Sequence, residues 1–331
     1  MNRQLAKDRY DRMQYRRCGR SGLHLPAVSL GAWETYGGTR DEDVAKQCMF
    51  RAFDLGITHF DLANNYGTPP GNAEIVCGRI LKDLPRDEVI VSSKAGYRMW
   101  PGPYGEWGSR KSIIASCDQS LKRTGIEYFD IFYSHRPDPE TPLEETMGAL
   151  DSLVKQGKAL YVGVSSYTGV QFEAALEVVR RERLAPLTIH QPYYNMLGRK
   201  VETDLLPHAE RAGTGVIAFC PLASGLLSGS KYLDGDVPAD SRPAREWASA
   251  WVAGKSKDEK RRILSGLAGL ARERNQSLAQ MALAWVLRHK GMTSAVMGAS
   301  RPEQVEQNVA ALSQLTFTAD ELGHIDALTA V

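Results

Sequence analysis

The chain has 331 residues, 43% of them hydrophobic, which is enough to bury a large core in one big domain or two ordinary ones. Forty-one basic residues stand against 39 acidic ones, a formal charge of +2 with no long basic run, so neither a nucleic-acid backbone nor a membrane surface is an expected partner. Five cysteines, Cys18, Cys48, Cys77, Cys117 and Cys220, are widely spaced and form no C-x-x-C pair; a disulfide framework and a zinc site are both disfavoured, and a reducing cytoplasm fits.

The opening residues Met1-Asn2-Arg3-Gln4-Leu5-Ala6-Lys7-Asp8 contain no apolar stretch of the signal-peptide kind, so export is not expected. Next, residues 15–25 carry Gly19, Gly22 and an alternating apolar pattern, which predicts a small hairpin closing the bottom of whatever follows. From residue 27 onward short strand-like runs alternate with longer helix-period segments, the order expected of repeated βα units. The strands are predicted at 27–31, 57–61, 89–94, 129–133, 160–165, 187–191, 216–220 and 294–298, and eight is the count of a closed barrel. Helix spacing is plain at 44–55, 113–121, 143–154 and 172–179, with start signals at Ser109, at Thr141-Pro142 and at Ser300 ahead of Pro302-Glu303. Residues 223–255, rich in Gly, Ser, Asp and Pro, predict a long loop after strand 7 that serves as a lid. The expected architecture is therefore an α/β (β/α)8 TIM barrel with an N-terminal β-hairpin, one domain over 1–331.

Such barrels carry their chemistry at the C-terminal ends of the strands. Asp61, Lys94, His135, Ser165, Gln191, Cys220 and Ser300 all fall at or just past such an end, and Tyr66 follows Asp61 by about one turn. Taken singly, Asp61 could cap a helix, Lys94 could serve a barrel ion pair, His135 could be a core histidine and Tyr66 a loop anchor. Together they form a set suited to carbonyl reduction: a phenol as proton donor, an ammonium beside it to lower its pKa, a carboxylate to hold the ammonium, and an imidazole to orient the carbonyl oxygen.

The runs Ile57-Thr58-His59-Phe60-Asp61-Leu62-Ala63-Asn64-Asn65-Tyr66-Gly67, Gly163-Val164-Ser165-Ser166 and Ile189-His190-Gln191, with Lys94 and His135, resemble the aldo-keto reductase superfamily over the whole barrel. Within it, Trp100-Pro101-Gly102-Pro103-Tyr104-Gly105 and Tyr133-Ser134-His135-Arg136 are similar to the branch of bacterial L-glyceraldehyde 3-phosphate reductases and potassium-channel β subunits. The resemblance implies a reductase using NADPH, with Tyr66 as general acid, Asp61 and Lys94 tuning it, and His135 and Trp33 facing the substrate.

No G-x-G-x-x-G follows a predicted strand, so a Rossmann pyrophosphate site is not expected. Gly298-Ala299-Ser300-Arg301-Pro302 instead reads as a strand end, a turn and a helix start, which offers backbone N–H groups to the 2′-phosphate of NADPH, with Arg301 answering its charge. By resemblance, Gln304, Gln307 and Asn308 contact the adenine end and Arg242 shares the phosphate. Ser165, Ser166 and Gln191 hold the carboxamide, and Phe219 stacks on the ring. Cys220, Pro221, Leu222, Ala223, Gly225 and Lys231 complete the pyrophosphate strap. Phe219 stands where relatives carry Tyr or Trp and Cys220 where serine is common, and one residue is added before Lys231.

The loop after Lys94 holds Arg98, Trp100, Arg110 and Lys111, the last two at a predicted helix start where cations oppose the dipole; an anionic, phosphorylated small aldehyde would explain them, as would surface acids or another subunit. The expected partners are a small aldehyde and further copies of the chain, as a tetramer or octamer by analogy with the branch. The competing reading is a nucleotide-binding interaction module of the channel-subunit kind. A metal-dependent hydrolase is disfavoured because the seven histidines form no H-x-H or H-E-x-x-H pair.

Overall fold

The computed structural model describes residues 5–39 and 41–329; Met1–Gln4, the first half of the opening stretch read above, lie outside the described residues, as do Arg40, Ala330 and Val331. Two short strands, β1 (Tyr15–Arg17) and β2 (His24–Pro26), pair antiparallel as the predicted hairpin. Eight parallel strands then close on themselves: β3 (Val28–Gly31), β4 (His59–Asp61), β5 (Ile90–Ala95), β6 (Phe129–Ser134), β7 (Ala159–Ser165), β8 (Leu187–Gln191), β9 (Gly215–Ala218) and β10 (Met292–Met297). Neighbours in sequence are neighbours in space, and β10 pairs with β3 to seal the barrel.

The outer helices form where apolar residues recur at helical spacing. Among them are α1 (Glu42–Asp54), α2 (Asn72–Leu81), α3 (Arg110–Thr124), α4 (Leu143–Lys155), α5 (Gly169–Arg181), α6 (Val201–Asp204) and α7 (Leu206–Ala212). After β9 come α8 (Arg242–Arg245), α9 (Ser249–Ala253), α10 (Lys257–Glu273) and α11 (Leu278–Leu287), and after β10 come α12 (Pro302–Val309) and α13 (Ala319–Thr329). Ser109 caps α3 by accepting the Ser112 N–H, as its position predicts. Capping boxes at Thr168/Gln171, Ser256/Glu259 and Ser277/Gln280 fix the starts of α5, α10 and α11.

Two layers of apolar side chains follow from the period-2 alternation of the strands. Phe132 and Val162 face the helices, whereas Ile131, Tyr133, Ile189, Ile217 and Val296 meet inside the barrel. Leu23 and Leu25 of the hairpin join that inner cluster. The hairpin seals the N-terminal end: the Arg20 N–H donates to the Gly213 carbonyl at 2.8 Å, and Arg16 donates to the carbonyls of Leu287 and Met292. With the bottom filled, the open end is the rim where β3 to β10 finish.

Seven of the eight predicted strands shift by one or two residues at an end, and only 187–191 matches at both. The seventh barrel strand stops at Ala218 instead of 220, because Cys220 takes a left-handed backbone (φ 54°). The lid carries two single-turn helices, α8 and α9, and a 3-10 turn at Ala223–Gly225 within its loop. No helix among the described residues is long and apolar enough to cross a membrane.

Candidate active site

Strand ends and the loop after β4 bring the four candidate groups to one place. Asp61 ends β4 opposite Ser92, and Lys94 near the end of β5 stands opposite Tyr133, so the ladder sets the carboxylate and the ammonium on adjacent strands facing inward. Lys94 Nζ donates to Asp61 Oδ2 at 2.6 Å, to the Leu62 carbonyl at 2.8 Å and to the Tyr66 hydroxyl at 3.3 Å. Those three bonds use all three ammonium hydrogens. The Tyr66 oxygen is thus an acceptor toward Lys94, which leaves its own hydrogen free to point into the cavity. His135 lies immediately after β6, its ring 6.0 Å from that of Tyr66 and edge-on to Tyr97 at 4.7 Å.

Electrostatics at this cluster run against one expectation. Burial pushes the Tyr66 phenol well above its usual range, with the Asp61 charge adding to it, so the net shift is upward and not toward a more acidic phenol. Asp61 already answers the Lys94 charge, and the phenolate would lose its water among apolar walls. Tyr66 is therefore held in its protonated form, the one a proton donor needs. Burial also lowers Lys94, opposed by Asp61, and holds His135 well below the ordinary histidine value, so that its imidazole is neutral.

A cavity of about 760 Å³ opens over these groups and runs from Tyr66 and His135 past Phe219 to Gly298, Ser300 and Gln304. Of the residues predicted from sequence, Trp33, Asp61, Tyr66, His135, Ser165, Ser166, Gln191, Phe219, Cys220, Pro221, Leu222, Gly225 and Arg242 also line it. Lys94 sits beneath them, fully buried. Ala223 is buried behind the strap, Asn308 is buried in α12, and Lys231 and Gln307 face solvent away from the wall.

Arg301 also departs from its expected place. It is the residue before α12, extended (φ −157°) and exposed, not in the helix's first turn and not on the cavity wall. The turn's backbone is only partly open, since Gln304 Oε1 accepts from both the Ser300 N–H (2.8 Å) and the Ser300 hydroxyl.

The cationic loop after β5 does not converge on the cavity either. Arg110 donates to the Gly148 carbonyl and to Ser152 of α4, and its own N–H meets Glu145, which accounts for a cation at this helix start. Lys111 lies over the Tyr104 ring, Arg98 is exposed, and Trp100 stands off the wall.

Sequence reasoning missed a clasp across the cavity mouth. Glu246 of the lid accepts from Trp33 Nε1 at 3.2 Å and from Arg242 Nε at 2.8 Å, and Arg242 also reaches Glu34 at 3.7 Å. Beside it Trp247 packs edge-on to Phe219 with centroids 4.8 Å apart and lies nearly parallel to Tyr193. The available signal was weak: Glu246-Trp247 is an adjacent acid and indole in a lid that also holds Trp251 and several other acids. Five of the eight non-glycine residues with left-handed backbone among the described residues, Glu34, Ser166, Cys220, Ala223 and Ser224, lie on or beside this cavity, each at a cost of roughly 1–3 kcal/mol.

The model of the aldo/keto reductase family matches residues 27–330. The chain belongs to the aldo/keto reductase family. It is 53% identical over 325 residues to the L-glyceraldehyde 3-phosphate reductase of Escherichia coli strain K12, covering 96% of this chain and 93% of that protein. It is 37% identical to a probable voltage-gated potassium channel subunit beta of Oryza sativa subsp. japonica, covering 96% of each chain, and 37% identical to one of Arabidopsis thaliana over 91% of each. This aldo/keto reductase is an oxidoreductase by family, and its barrel rim holds Asp61, Tyr66, Lys94 and His135 together.

Proposed function

We propose that this chain, acting as one unit over 1–331, reduces small aldehydes to alcohols with NADPH. The observation that carries the reading is the triple hydrogen bonding of Lys94 Nζ, which binds Asp61 and Tyr66 into one cluster with a neutral His135 at the cavity floor.

The cavity suits a dinucleotide. Gly298 lines it, and a Cβ there would meet no protein atom within 4 Å, so its backbone is open to close approach. Buried Asn65 Oδ1 and His135 Nδ1 have no protein partner, which leaves polar atoms for a ligand. Phe219 offers a flat apolar face, Ser165, Ser166 and Gln191 a polar one, and Ser300, Arg242 and nearby Arg301 the anion-binding end. A bound reduced nicotinamide supplies the hydride. The chain does the rest: His135 orients the carbonyl oxygen, Tyr66 gives it a proton, and Lys94 holds the Tyr66 oxygen while Asp61 holds Lys94.

For the substrate, we favour L-glyceraldehyde 3-phosphate or a similar short aldehyde such as methylglyoxal. The printed name of the 53%-identical relative supports this choice more than any cation in the cavity, since Arg242 is the one Lys or Arg among the described residues lining it. Comparing kcat/KM for glyceraldehyde 3-phosphate and glyceraldehyde, each with NADPH and NADH, tests the reading. A preference for the phosphorylated substrate and for NADPH is expected; equal values would remove phosphate recognition, and no turnover of any aldehyde would favour the alternative, a nucleotide-binding interaction module. A homo-oligomer, tetramer or octamer, in the cytoplasm completes the proposal.

A further inference from the structure

Behind Asp61 lies a line of buried polar side chains, none of which itself lines the cavity. Ser294 on β10, Ser29 on β3, His59 on β4 and Ser92 on β5 are all fully buried. Their contacts form an unbroken series: Ser294 Oγ to Ser29 Oγ at 2.7 Å, Ser29 Oγ to His59 Nδ1 at 2.9 Å, His59 Nε2 to Ser92 Oγ at 2.9 Å, and Ser92 Oγ to Asp61 Oδ1 at 2.7 Å. Barrel interiors are ordinarily filled by branched apolar side chains, and each buried polar group carries a desolvation cost.

Hydrogen accounting gives the series one direction. The Asp61 carboxylate, paired with Lys94, only accepts, so the single Ser92 hydroxyl hydrogen goes to Oδ1. Ser92 must then accept from His59, which places the imidazole hydrogen on Nε2 and leaves Nδ1 as an acceptor. Ser29 donates to Nδ1 and in turn accepts from Ser294. Burial lowers the His59 pKa to about 4, in keeping with a neutral ring. Four donors on four strands thus point the same way and end on one carboxylate oxygen.

We infer that His59, acting through Ser92, is a positioning residue for the reduction: it fixes the Asp61 carboxylate so that Oδ2 faces Lys94 and the Tyr66 hydrogen stays aimed into the cavity. The other bond to Oδ1 comes from Gln191 Nε2 at 3.2 Å, longer than that from Ser92. Without Ser92, Oδ1 would keep only the longer bond from Gln191, and the carboxylate would be looser against Lys94 on its other oxygen.

This inference rests on the aldehyde-reductase reading, and two measurements separate their fates. In the first, kcat and the NADPH Kd are compared for wild type, Ser92→Ala, His59→Leu, the double variant and His59→Gln. Ser92→Ala removes one atom and tests the idea even if His59→Leu does not fold. Expected are a roughly tenfold loss of kcat in each single variant, the scale of one hydrogen bond to a charged group, with NADPH Kd unchanged. The double variant should be no worse than the poorer single one, and His59→Gln, which keeps a donor toward Ser92, should recover most of the loss. Unchanged kcat in Ser92→Ala, or losses that multiply in the double variant, would overturn it. In the second, ¹⁵N spectra of the histidine-labelled protein, assigned with His59→Gln, should show hydrogen on Nε2 and a bare Nδ1. The opposite tautomer would overturn the inference even if no aldehyde were turned over, an outcome that by itself strikes only the reductase reading.

Discussion

Tyr66 shows how a single side chain is prepared by its neighbours. Burial keeps the proton on its oxygen, and Lys94 occupies the oxygen's accepting side. Tyr66→Phe should lower kcat for reduction by roughly 10²–10⁴, the usual worth of a positioned acid, and leave the NADPH Kd unchanged; a titration beside steady-state kinetics checks both. Near-normal turnover would remove Tyr66 as the donor. Arg301 poses the opposite case, an exposed cation beside the end of the cavity proposed to take the cofactor phosphate. Arg301→Ala should raise the KM for NADPH roughly tenfold, as for a lost charge-assisted hydrogen bond, with little change for NADH. Equal effects on the two would move 2′-phosphate recognition to Arg242.

At the scale of elements, the clasp between the β3–α1 loop and the lid joins two segments more than 200 residues apart through Trp33, Glu246 and Arg242. Glu246→Ala breaks both bonds at once. Release of NADPH, followed by stopped-flow fluorescence, should quicken roughly tenfold, the loss of about one charged hydrogen bond at a half-exposed site. An unchanged release rate would mean that the lid does not close over the cofactor. The hairpin makes a separate claim about the barrel's other end. A Cβ at Gly215 would stand 2.3 Å from Cys18 Sγ and 2.9 Å from Thr293 Oγ1. Gly215→Ala should therefore cost about 1–3 kcal/mol of stability by overpacking, read from the urea midpoint, and leave kcat intact because the active site is at the opposite rim.

Across the whole molecule, stability depends on keeping buried imidazoles neutral. Burial lowers the His59 pKa to about 4 and that of His190 to about 3. The unfolded chain binds protons near the ordinary histidine value of about 6.5, so between there and pH 4 it takes up protons that the folded form refuses. The stability these groups contribute is complete above that value and is lost as the pH falls, by about 1.4 kcal/mol per pH unit for each imidazole. Urea unfolding between pH 7.5 and 4.5 should show this decline; a flat profile would mean that both rings are protonated in the folded protein.

Much of this molecule is legible in its linear order. Eight strand-like runs separated by helix-period segments give the barrel, because the period-2 and 3.6 patterns are local and survive without tertiary context. Asp61, Lys94, His135, Ser165 and Gln191 can be placed because a parallel barrel brings all strand ends to one rim. Side-chain direction was beyond that reading. Arg98, Arg110 and Lys111 share a loop that looks cationic in sequence, yet Arg110 turns to α4 and Lys111 to Tyr104. Nor does any local pattern announce that Glu246 meets Trp33, or that Ser29, His59, Ser92 and Ser294, each inside a strand of ordinary appearance, line up behind Asp61. Those contacts depend on strand stagger and on the path of a long lid, which no short stretch of residues encodes. The sequence by itself determined which groups reach the rim. Only the closed barrel decided which of them touch, which charges are desolvated, and therefore which proton each one holds.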